Sequence, residues 1–172
     1  MDTELFVHFA EIAGVFVGFG ALIGLRSAGR IDLHDVIYLR AVLILGVWVV
    51  IAALLPITVN RYGVDGHALW LACALAVGVL WIVGFIALNR SADMRALNRN
   101  AEPVDRIFPI VGLPLHLVIA GSMVLIVIGV WPHLDEALYV TGLTAGVVFA
   151  GYTLLASVLS RKHVSDPERD AP

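Results

Sequence analysis

Glu4, His8 and Glu11 fall at steps of four and three. A helix through them lines two carboxylates and an imidazole along one side. Such a set can bind a cation, pass a proton or, when shielded, hold helices together by hydrogen bonds. The stripe continues through Val15, Gly18 and Leu22 to Arg26, so it runs acidic, then apolar, then basic. Glu11 stands about 10 Å along the helix from Glu4, within otherwise apolar sequence. An ionisable group there is expensive and is expected to face protein, water or a cation. Beside the stripe, Ala10, Gly14 and Ala21 form a groove of small residues suited to helix packing. Phe9, Ile12, Phe16, Phe19 and Ile23 form a bulky ridge on another side. Gly14-xxx-Gly18 and Gly20-xxx-Gly24 each allow a second helix to come close.

Three readings of Glu11 stand side by side: a hydrogen-bonded group that glues helices, an ion or proton site on a pore axis or in a cavity, and a metal or cofactor site. The metal reading finds little support elsewhere, because HExxH, CxxC and a second ligand pair are all missing from the sequence. His116 is the other intramembrane histidine expected, but nearer the opposite side from His8, which argues against the two clamping one haem. Pro109 and Pro114 precede it; the first reads as a helix start and the second as a packing bend, with freed carbonyls lining a site as the alternative. Pro56 reads the same way. Arg40 reads as snorkelling to headgroups. The single cysteine, Cys73, cannot form an intramolecular disulfide and reads as a small core residue. No nucleophile–base pair, phosphate loop or redox motif is present, so neither an enzyme, a cofactor nor a bound metal is expected.

The elements that must carry these residues follow from composition. The chain has 172 residues, 60% hydrophobic and 15% charged, with a mean hydropathy of +0.92. That density of apolar residues excludes a soluble domain and predicts transmembrane helices. Five runs are long enough to cross: about Leu5–Leu25, Val36–Val59, Ala68–Leu88, Ile107–Trp131 and Ala137–Leu159. The expectation is an all-α polytopic membrane protein with one transmembrane domain over 1–160 and a disordered cytoplasmic tail over 161–172. The acidic start, Met1-Asp2-Thr3-Glu4, reads as a retained first span, not a cleaved leader. Cations set the orientation. Arg26, Arg30, Arg40, Arg90, Arg95, Arg99, Arg106, Arg161, Lys162 and Arg169 fall on one side, and Arg61 on the other. The N-terminus is therefore expected outside and the C-terminus in the cytoplasm. The connection after span three reads as a solvated basic loop; a short surface helix capped by Ser91, with Met94 and Leu97 on one face and Arg95 and Arg99 four apart, is the alternative.

Spans two and three, and four and five, read as two outward hairpins with a faint echo. Ala68-Leu69-Trp70-Leu71 matches Ala137-Leu138-Tyr139-Val140, and Leu75, Gly78, Val79 match Leu143, Gly146, Val147 with a one-residue offset. Chance resemblance between apolar sequences and a tandem duplication both produce this. The segment Phe9-Ala10-Glu11-Ile12-Ala13-Gly14-Val15-Phe16-Val17-Gly18-Phe19 resembles the first span of uncharacterised small bacterial multi-span integral membrane proteins. The resemblance implies a bacterial inner-membrane location and no particular activity. The order of the stripe is also similar in kind to the pore helix of calcium-release-activated channels. The leading expectation is a homo-oligomer that moves cations or protons past Glu11. A non-catalytic membrane partner or assembly subunit is the alternative, and a membrane enzyme or metal-binding protein is the third. The partners expected are the lipid bilayer, further copies of the chain and other membrane proteins, not nucleic acid.

Overall fold

A computed structural model describes residues 2–26, 33–90 and 103–160, apart from the side chains of 26, 33–35, 89, 103–109 and 158–160. The basic loop with its alternative helix at Ser91, and the tail after 160, lie outside the described residues. Among the described residues five α-helices follow in order: α1 Thr3–Arg26, α2 Leu33–Arg61, α3 Gly66–Arg90, α4 Pro103–Ile128 and α5 Asp135–Ser160. Each is long and apolar enough to cross a membrane. The protein is therefore an all-helical, multi-pass membrane protein.

Local chemistry sets the helix ends. Asp2 caps α1, its Oδ1 accepting the backbone N–H groups of Glu4 and Leu5 at 3.2 and 3.3 Å. α2 and α3 are joined by a tight turn in which Gly63 takes a φ of +81°. α4 reaches only to Ile128, short of the expected Trp131. Gly129, at φ +67°, turns the chain there and donates its N–H back to Leu125 and Ile126. α4 also begins at Pro103, so Pro109 lies inside the helix instead of opening it. A single 3₁₀ turn, Pro132–Leu134, leads into α5.

α2 and α5 form the centre. Within their candidate spans 44% is buried, against 17% for α1 and α3. α2 packs on α1, α3 and α5, while α5 also touches α1, α3 and α4. The start of α1, the α2–α3 turn and the α4–α5 turn share one end, called here the turn end: Asp2 N–H reaches Glu136 Oε1 at 3.2 Å. Beneath it Phe6, Trp70 and Tyr139 stack mutually, with ring centroids 5.3 to 6.2 Å apart.

Polar contacts tie α2 to α5 and to α3. Pro56 has no N–H to give the carbonyl of Ala52 one turn back. Tyr139 Oη donates to that carbonyl at 2.7 Å, from α5 across to α2. Trp48 Nε1 donates to the carbonyl of Val77 at 3.1 Å, from α2 to α3.

Candidate functional site

α1 has a closed side and an open side. The closed side is Phe6, Ala13 and Gly20 at steps of seven, all buried. Gly20 and Gly24 face Leu39 of α2, and a Cβ on Gly24 would come within 2.7 Å of the Leu39 side chain. In return Gly46 of α2 receives Val17, where a Cβ would meet Val17 Cγ2 at 2.5 Å and the Ala13 carbonyl at 3.3 Å. Gly20-xxx-Gly24 thus works within the chain. Gly14 and Gly18 meet nothing within 4 Å.

The open side carries the polar stripe. Glu4, His8, Glu11, Val15, Gly18 and Leu22 are all exposed; Arg26 ends the same helix. His8 sits between the carboxylates, its Nδ1 3.1 Å from Glu11 Oε2 and its Nε2 3.8 Å from Glu4 Oε1. The side chains of Glu4, His8 and Glu11 are 85%, 59% and 65% exposed. Glu11 lies about 12 Å along the axis from Thr3, on the face turned away from the bundle. Of the small-residue groove, Gly14 and Ala21 are exposed and Ala10 rests against the core. The bulky ridge divides. Phe9 and Phe16 pack inward, while Ile12 and Phe19 are exposed.

His116 belongs elsewhere. Its Nδ1 lies 2.8 Å from the carbonyl of Gly112, so that nitrogen carries the proton and donates. Phe149, Trp81 and Phe85 surround the ring, with centroids at 4.6, 5.1 and 5.5 Å. These aromatics come from α5 and α3, and the ring is part of the packing between them and α4. Cys73 is buried in the core. Arg40 lines, with Ile44, Ala87 and Leu88, a cleft of about 350 Å³ between α2 and α3 at the other end of the bundle. Among the described residues no group of three or more His, Cys, Asp or Glu is gathered to hold a metal ion.

A second polar site escapes the sequence reading. His67, at the start of α3, and Asp135, which opens α5, meet at the turn end with Nδ1 and Oδ2 2.6 Å apart. Asp135 is 1% exposed, whereas the His67 side chain is 38% exposed. Asp135 Oδ1 is buried with no hydrogen-bond partner among the described residues. Both lie in the first turn of the second helix of their hairpin, one residue out of register with each other. The echo between those hairpins aligns Trp70 with Tyr139, whose rings stack at 5.3 Å, but it sets His67 against Glu136 and gives no sign of this pair.

The fold and composition define a class, the multi-pass helical membrane proteins. Comparison with protein-family models, with curated proteins and with solved structures finds no match to the chain.

Proposed function

We propose that the protein is a homo-oligomer of the bacterial inner membrane that moves cations or protons along the Glu4–His8–Glu11 face of α1. The observation that carries this reading is the exposure of Glu11 on a helix apolar enough to cross. Lipid offers a carboxylate neither hydrogen bonds nor counter-charge, so the group calls for protein or water beside it. Copies of one chain insert in the same direction, so a closed assembly is cyclic about an axis along the membrane normal. Each copy then presents Glu4, His8 and Glu11 at equal depths. Gly14 and Gly18, open on this side, let neighbouring helices approach. An imidazole between two carboxylates can take a proton at one nitrogen and release it from the other. Carboxylates alone concentrate cations in a narrow, low-dielectric passage. The distribution of Lys and Arg in the sequence supports an acidic end of the stripe that faces outside the cell.

The open glycines also favour a second reading, a non-catalytic assembly subunit in which Glu11 only holds helices together. Glu11→Gln and Glu11→Leu separate the two. Flux of monovalent cations and of protons into proteoliposomes is measured for both variants and the wild type, with thermal stability in parallel. The transport reading expects Glu11→Gln to cut flux or change selectivity and leave stability unchanged. The assembly reading expects Glu11→Gln to be silent and Glu11→Leu to break the oligomer. A wild-type protein that carries no flux under any gradient, pH or voltage defeats transport outright.

A further inference from the structure

We infer that His67 and Asp135 form a proton-binding site whose occupancy clasps the two hairpins together at the turn end. The site shares no residue with the Glu4–His8–Glu11 face of α1.

The geometry poses a charge problem. Asp135 is 1% exposed and receives His67 at 2.6 Å on one oxygen, while its other oxygen has no donor among the described residues. A lone carboxylate anion, so buried and half-satisfied, is unfavourable. The N-terminus of α5 also favours negative charge there. One added proton resolves the conflict in either of two ways. An imidazolium can face the carboxylate, or a protonated carboxyl can donate to a neutral imidazole. Both hold the same number of protons and differ only by its transfer across the 2.6 Å contact, so the proton belongs to the pair.

His67, partly exposed, is the way in from water. Its ring edge also abuts Gly129, where an added Cβ would lie 3.6 Å from Cε1 and Nε2. The pair therefore joins the start of α3, the end of α4 and the start of α5. Other ionisable groups among the described residues at this end are Asp2 and Glu4 of α1, Arg61 closing α2, Tyr62 and Asp65 ahead of α3, His133 in the 3₁₀ turn and Glu136 in α5. Glu136 accepts the Asp2 N–H. Tyr139, one turn below Asp135, is committed to the Ala52 carbonyl. Removing the shared proton as pH rises leaves a buried anion facing a neutral imidazole inside the clasp. The contact then weakens, and water reaches the top of the bundle.

Cys73 supplies a native reporter. It is the chain's single cysteine, is fully buried, and lies about 9 Å along α3 from His67. The experiment measures its modification by a small disulfide reagent in the intact, detergent-solubilised protein across about pH 6 to 9. Asp135→Asn keeps the size and the acceptor but cannot carry the charge. The rise in thiolate with pH is common to both proteins and cancels in the ratio of rates. The ratio of wild type to Asp135→Asn is expected to rise about tenfold across this range as the clasp opens. A ratio constant within about twofold overturns the proposal. Should Asp135→Asn fail to fold, His67→Gln serves, since it keeps a donor but loses the exchangeable proton. It should react faster than wild type at the acid end and converge with it at the alkaline end. Parallel pH courses for those two proteins overturn the proposal equally.

Discussion

Asp135 and Glu11 are both carboxylates on helices apolar enough to cross a membrane, and the chain treats them oppositely. Asp135 is 1% exposed and has His67 brought to it from another helix. The Glu11 side chain is 65% exposed, and the partner it has, His8, lies one turn away on its own helix. The chain can seal a carboxylate when it supplies the matching group across an interface. It does not do so for Glu11, whose surroundings are completed by whatever lies outside the chain. The glycines repeat the contrast. Gly46 and Gly24 are filled by side chains of the neighbouring helix, while Gly14 and Gly18 face nothing within 4 Å.

Substitutions on the closed side are expected to cost folded stability, and those on the open side to cost the proposed association. The largest effect belongs to Gly46→Leu. Its Cβ would meet Val17 at 2.5 Å and the Ala13 carbonyl at 3.3 Å, and backbone cannot retreat as a side-chain tip can. A loss of roughly 3 kcal/mol is expected, read as a fall in unfolding midpoint and in folded yield. Wild-type stability in Gly46→Leu would mean that the α1–α2 seam is not closed, and the contrast would fall.

Tyr139→Phe comes next. It strips the donor from the Ala52 carbonyl that Pro56 leaves unpaired, at a cost of about 1–3 kcal/mol. Pro56→Ala restores a backbone N–H to that carbonyl. The cost of Tyr139→Phe should therefore shrink markedly in the Pro56→Ala background, as measured by unfolding of the two single variants and the double one. Equal costs in both backgrounds would show that the hydroxyl does not answer the proline.

The smallest effect on the folded chain is that of Gly18→Leu. With open space around it, the stability of a single chain should stay within about 0.5 kcal/mol of wild type. The proposed oligomer, measured by sedimentation in detergent, should dissociate. A stability loss approaching that of Gly46→Leu would place Gly18 on a closed face after all.

The five helices were legible because hydropathy over twenty or so residues dominates any local signal. The shared side of Glu4, His8 and Glu11 was legible too, since it follows from the helical period. The ends of α4 were less so. Apolar Val130 and Trp131 extend the run, but Gly129 adopts a left-handed φ and stops the helix at Ile128. The His67–Asp135 pair was illegible for a different reason. At the mouths of apolar runs, polar residues look like ordinary interface residues, and only packing of α3 against α5 brings these two together. His116 was likewise visible as an intramembrane imidazole, while the rings around it come from helices that the sequence cannot pair. The hairpin echo misleads in part. Gly146 accommodates Trp48 and Val49, whereas its counterpart Gly78 meets nothing within 4 Å.

The Pro56–Ala52–Tyr139 contact also bears on the order in which the protein is built. α2 is synthesised before α5 and, newly inserted, would carry the Ala52 carbonyl unpaired in hydrocarbon, a condition that costs several kcal/mol. That helix remains incomplete until the chain has been extended by most of its remaining length and Tyr139 arrives. The proline therefore withholds part of the stability of an early helix until a late one docks, which discourages α2 from settling permanently against any neighbour that brings no hydroxyl.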